Sequence, residues 1–201
     1  MSAFPGLPRL FCLVSHRDDL SLLAALADAG VGGFQVRDKT LPTGALVALT
    51  RTVLDAVRPA GATVVVNDRV DVALAAGADG VHLGAEDLAV ADARRLAPAL
   101  LIGATCRSRA EVAAAAADGA DYAGLGPVFA TGSKPGLPAP LGVAAVTAAA
   151  GVLPLVAIGG LRAATAGEVR AAGAHGAAVI GAIWRQPDPV VAAKELVAAV
   201  A

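Results

Sequence analysis

Three lysines, one asparagine and one tyrosine occur in this chain, and their positions carry chemical information because each type is so scarce. Lys39 follows the short apolar run 33–37, Asn67 closes the run 63–67, and Lys134 lies in the stretch after 122–126. Only Lys194 reads as ordinary charge on a helix surface. The first constellation is Gln35, Arg37 and Lys39. Alternation along a strand puts Gln35 and Arg37 on one face, and Lys39 continues that side into the following loop. Two cations and an amide at such a place suit a phosphorylated or diphosphorylated ligand. Solvated loop charge is the alternative.

The second constellation joins Asn67, Asp68 and Arg69 to Glu86 and Asp87, which follow the next apolar run at 80–83. Two carboxylates with diphosphate oxygens are a common way to hold Mg2+, which keeps several waters. Each aspartate alone suits a helix N-cap; together, beside two cations, they favour the metal. His82 lies within the run and reads as a satisfied core histidine. A third segment, 124–136, combines glycines and prolines with Thr131, Ser133 and Lys134, the composition of an anion-binding or lid loop. A fourth, Gly159-Gly160 with Ile180-Gly181, offers backbone N–H groups to a monophosphate, with tight-turn glycines as the alternative.

The elements that must position these residues follow from periodicity. Strands are predicted at 9–14, 33–37, 63–67, 80–83, 100–104, 122–126, 155–158 and 177–181, mostly continuous apolar runs suited to a parallel sheet buried on both faces. Helices are predicted at 19–29, 43–57, 70–76, 88–97, 108–118, 143–149, 163–172 and 189–199. Asp18, Thr43 and Ser108 are cap-compatible at their starts, and Gly30, Gly77, Gly119 and Gly173 stand at their ends. One phrase recurs around those four glycines, with variants such as Ala76-Gly77-Ala78-Asp79-Gly80 and Ala172-Gly173-Ala174-His175-Gly176, every 42 to 54 residues. Each glycine suits a helix C′ position. Four repeats of a βαβα block predict a small single-domain (β/α)8 TIM barrel over 1–201, with a doubly wound open sheet as the alternative. In such a barrel the chemistry sits where strand C-termini meet their loops, which is where the scarce polar residues fall.

Composition narrows the classes further. Apolar residues make up 56 % of the 201, charged residues 16 %, and the net charge is −1. That excludes a disordered chain and gives no basic footprint for nucleic acid. Mean hydropathy is +0.66, yet no run reaches the roughly 18 apolar residues of a membrane span, and residues 1–8 do not read as a signal peptide. Cys12 and Cys106 are too few for a disulfide framework and lack metal-site spacing; Cys106 reads as a buried, inert thiol. A soluble cytoplasmic protein is expected. The apolar helices at 108–118 and 189–199 allow a homodimer.

Four phrases in this order resemble the thiamine phosphate synthase family over essentially the whole chain: QVRDK at 35–39, NDRVDVALAAGADGVHLGAEDL at 67–88, ADYAGLGPVFATGSK at 120–134 and VAIGG at 156–160. The resemblance implies condensation of 4-amino-2-methyl-5-(diphosphomethyl)pyrimidine with thiazole phosphate to give thiamine phosphate and pyrophosphate. It implies that Gln35, Arg37, Lys39, Asn67, Thr105 and Lys134 surround the pyrimidine diphosphate, with Arg37, Lys39 and Lys134 assisting its departure. Asp68 and Asp87 correspond to the Mg2+ ligands. Thr131, Ser133, Gly160, Ile180 and Gly181 correspond to the thiazole phosphate site.

This chain departs from the family pattern at several points. Ala85 replaces a Gln, Thr105 a Ser, Ser133 a frequent Thr, Gly181 a Ser, and Arg107 a frequent His. The sister activity of the fold is a thiazole tautomerase, whose members use a His where Pro127 stands and tend to lose the metal carboxylates. A non-catalytic phosphate-binding barrel is the reading from another class. It is disfavoured because buried charges without a use are costly to keep.

Overall fold

Apolar runs of four to six residues become strands because their branched side chains pack on both faces of a sheet. The structure, a computed structural model, describes residues 6–132, 136 and 138–201. The strands are β1 (Leu10–Val14), β2 (Gly33–Val36), β3 (Thr63–Asn67), β4 (Gly80–Leu83), β5 (Leu101–Cys106), β6 (Tyr122–Leu125), β7 (Leu155–Ile158) and β8 (Gly176–Val179). All neighbours are parallel, and β8 returns to β1 through Leu10↔Ala177, Phe11↔Ala178 and Cys12↔Val179, closing the barrel. The open-sheet alternative is thereby excluded.

The helices form the outer layer: α1 (Leu23–Asp28), α2 (Thr43–Val57), α3 (Val70–Ala76), α4 (Val90–Leu96), α5 (Arg109–Ala117), α6 (Val143–Ala149), α7 (Ala163–Ala171), the short α8 (Gly181–Trp184) and α9 (Pro189–Val200). One core lies between sheet and helices; a second, including Phe11, Val65, Leu101, Tyr122 and Val156, fills the barrel interior. The seam between β8 and β1 is covered by α9, which packs on α7, α8, α1 and β1. Trp184 of α8 ties the same seam by donating its indole N–H to the Leu13 carbonyl at 2.7 Å.

The recurring glycine phrase has a physical basis. Gly30, Gly77, Gly119 and Gly173 all have φ between 74° and 102°, the left-handed conformation that ends a helix. In two copies the following aspartate fastens a strand. Asp79 Oδ2 accepts the Val64 N–H of β3, and Asp121 Oδ2 accepts the Ile102 N–H of β5, each at 2.8 Å. Asp121 also pairs with Arg94 at 2.6 Å.

Several boundaries differ from the sequence expectation. The first helix divides into a 3-10 turn, Leu20–Leu22, and α1, because Asp19 rather than Asp18 accepts the first capping N–H. Asp18 instead accepts from the Ser15 N–H and hydroxyl. Pro42, not Thr43, stands at the N-cap of α2, whereas Ser108 caps α5 as its sequence suggests. β5 runs on to Cys106, and the end of the predicted eighth strand turns into α8.

Candidate active site

The C-terminal mouth of the barrel holds a cavity of about 500 Å3. It brings together Gln35, Arg37, Asn67, Thr105, Thr131, Gly160, Ile180 and Gly181 of the sequence-derived set. Lys39, Asp68 and Asp87 form a cluster beside it. Ser133 and Lys134 lie outside the described residues.

From β2, Gln35 faces the cavity at 5 % exposure, and no side-chain hydrogen bond is made to its carboxamide among the described residues. Its carboxamide is therefore open to the cavity. The next turn is fixed by Asp38, whose carboxylate accepts from the Thr40 N–H and hydroxyl at 2.9 and 2.8 Å and pairs with His16. Burial opposes ionisation of Asp38, but those bonds outweigh it and hold the group well below the usual carboxylate range. The turn delivers the Lys39 ammonium onto Asp68.

Asp68 is the one non-glycine residue with positive φ, 65°, among the described residues, and its N–H donates to the His82 carbonyl at 2.7 Å. It caps no helix: the N-cap of α3 is Arg69 and that of α4 is Ala89, so the capping reading fails for Asp87 too. Asp87 Oδ2 accepts the Gly84 N–H at 2.7 Å. A Cβ on Gly84 would stand 2.7 Å from Asp87 Oδ2 and 3.9 Å from Asp68 Oδ1, so this glycine clears the space where the carboxylates converge. Their titrations diverge. Burial pushes Asp87 up, and the Asp68 carboxylate bonded to it pushes further. Burial opposes Asp68 as well, but the bonds from Asp87 and Lys39 and the charges of Lys39 and Arg37 carry it below its ordinary value.

His82, read as a satisfied core histidine, is satisfied, its ring bridging two side chains, but it also lines the cavity. Nδ1 is 3.1 Å from the Tyr122 hydroxyl, and Nε2 is 3.1 Å from Thr105 Oγ1. Burial lowers its pKa to about 4, partly opposed by the Asp68 charge, so the ring is neutral at physiological pH. Cys106 is a buried thiol pushed up to about 11 by burial and by Glu111, as an inert role requires.

Across the mouth, Gly159 and Gly160 have φ of 96° and 67°. A Cβ on Gly159 would stand 2.5 Å from Pro127, and one on Gly160 would run into the Ala130 carbonyl. These glycines let the loop after β6 lie on the loop after β7, where the Val128 and Phe129 N–H groups donate to the Ile158 and Gly159 carbonyls. Arg107 braces the same loop by donating to the Gly126 and Ala139 carbonyls. Arg162, Arg185 and Gln186 also line the cavity, and the sequence reading missed them. They follow β7 and β8 at distances where strand alternation no longer orients a side chain. The spacing of Arg185 from Gly181, one helical turn, is the available signal.

A closed (β/α)8 barrel whose C-terminal mouth gathers guanidinium groups and positive-φ glycines, with a carboxylate pair beside them, has the layout of a TIM-barrel enzyme. The chain belongs to the thiamine monophosphate synthase family, whose model matches residues 10–183. It is 51 % identical to the thiamine-phosphate synthase of Methanoculleus marisnigri over 89 % of this chain and 85 % of that protein. It is 49 % identical to a thiamine biosynthesis bifunctional protein of Symbiobacterium thermophilum over 93 % of this chain, while spanning only 40 % of that longer protein. Among solved structures, a thiamine phosphate pyrophosphorylase from Pyrococcus furiosus superposes with a TM-score of 0.87 at 34 % identity, covering 96 % of this chain and 95 % of that one. No helix among the described residues is long and apolar enough to cross a membrane.

Proposed function

We propose that this protein joins 4-amino-2-methyl-5-(diphosphomethyl)pyrimidine to thiazole phosphate, forming thiamine phosphate and releasing pyrophosphate. The observation that carries the reading is the convergence of Gln35, Arg37 and Asn67 on one side of a cavity, opposite the Gly160 and Gly181 backbone, with a carboxylate pair beside it. One phosphorylated partner fits each side.

Gln35, Asn67 and Thr105 bind and orient the pyrimidine. Arg37, Lys39 and Lys134 neutralise the diphosphate as the C–O bond breaks. The electron-rich aminopyrimidine stabilises the resulting carbon cation, and the thiazole nitrogen captures it with its lone pair, so no protein nucleophile is required. Thr131, Ser133, Gly160, Ile180 and Gly181 hold the thiazole phosphate, and Arg185 adds a guanidinium to that side.

Asp68 and Asp87 fit a Mg2+ ion. They converge beside Gly84, and two carboxylates suit an ion that keeps several waters. Bound there, Mg2+ supplies positive charge to the departing diphosphate.

The test is an assay that follows thiamine phosphate and pyrophosphate together. Equal amounts of both, abolished by chelation and reduced about 100-fold or more by Asp68→Asn, support the reading. Isomerisation of a carboxythiazole phosphate without condensation would replace it by the tautomerase.

A further inference from the structure

Two glycines inside the barrel make room for a chain of three side chains. His82, Gly103 and Tyr122 are register partners across β4, β5 and β6, and Thr105 is partnered by Gly124. A Cβ on Gly103 would occupy the space of the Tyr122 ring, and one on Gly124 would stand 2.7 Å from His82 Cε1. Tyr122 therefore leans across β5 to His82, and His82 lies over β6 with its far nitrogen on Thr105.

The directions of the hydrogen bonds follow from counting donors. Tyr122 is 1 % exposed, and His82 Nδ1 is the single hydrogen-bond partner of its hydroxyl among the described residues. A buried phenol that only accepted would leave its own proton unpaired, at a free-energy cost. The phenol thus donates to Nδ1, which leaves the ring proton on Nε2. Nε2–H donates to Thr105 Oγ1, which leaves the Thr105 proton to point into the cavity that this residue lines.

We propose that Tyr122 and His82 are positioning residues that orient the Thr105 hydroxyl proton into the cavity, so that this point of the cavity offers a donor to an acceptor such as an aromatic ring nitrogen. On the function proposed above, the acceptor is a ring nitrogen of the aminopyrimidine. The relay thereby selects which edge of that ring faces β5.

The first test is nitrogen-15 NMR of the ligand-free, uniformly labelled protein, with His82 assigned by its loss in His82→Gln. A bare Nδ1 and a protonated Nε2 are expected. The opposite tautomer overturns the proposal, as would follow if water in the roughly 20 Å3 space lined by Gln35, His82 and Tyr122 accepted the phenol proton. This readout needs no turnover, so it stands even if the proposed reaction fails. The second test is a double-mutant cycle of Tyr122→Phe and Thr105→Val, with binding of the aminopyrimidine diphosphate measured by calorimetry. Tyr122→Phe should weaken binding about five- to tenfold when Thr105 is intact and less than about twofold in the Thr105→Val background. Equal losses in both backgrounds would reduce Tyr122 to packing.

Discussion

At the residue scale, the site is built where a side chain has been placed against its own preference. Asp68 sits at φ 65°, a region that asparagine shares and alanine does not. Asp68→Asn should keep the fold and lose the charge, whereas Asp68→Ala should be less stable than Asp68→Asn by about 1 kcal/mol in urea unfolding. His82 makes a second prediction. Burial lowers its folded pKa to about 4 against an ordinary 6.5, so the unfolded chain takes up a proton that the folded protein refuses. The stabilisation is complete above pH 6.5 and is lost as pH falls towards 4, by about 3 kcal/mol in all. The stability difference between wild type and His82→Gln should shrink over that window and stay constant above pH 7. Gln35, Arg37 and Asn67 were legible in the sequence because a strand's alternation and its end are both local. The role of His82 was not, since it depends on Gly103 and Gly124, whose cleared space exists only after two further strands are in register.

At the scale of elements, the repeated phrase explains why so alanine-rich a chain folds into ordered strands. A helix stop, a left-handed glycine and an aspartate that accepts the N–H of the preceding strand act as one clip. Removing a clip leaves a strand N–H unpaired, which costs about 1–3 kcal/mol. Asp121→Ala should lie at the upper end, since it also removes the ion pair to Arg94, and Asp79→Ala nearer the lower, its carboxylate being more exposed. At about 2–4 °C per kcal/mol for a chain of this size, calorimetry separates the two. The glycine part of the clip was visible in the sequence as a recurrence. The aspartate part was not, because its partner lies 15 or 19 residues earlier on another strand. Splitting of the first helix was hidden for a simpler reason: Asp18 and Asp19 are equivalent as caps until the fold directs one of them to Ser15.

At the scale of the whole molecule, the repeat supplied the count of eight strands and favoured a closed barrel over an open sheet, but not the contacts that seal it. No local pattern says that β8 must return to β1, and the pairing rests on α9 burying Ala193, Leu196 and Val200 over the joint. A chain cut after Gln186 retains all the candidate site residues, yet it should lose cooperative unfolding in urea and most of its activity. The tie from α8 to β1 has an optical consequence. Trp184 is the sole tryptophan of the chain, so the protein carries one native indole fluorophore, and that fluorophore is bonded across the place where the cylinder closes. Its emission therefore reports on closure: a shift to the red that precedes loss of helical circular dichroism would record the barrel springing open while its helices are still wound.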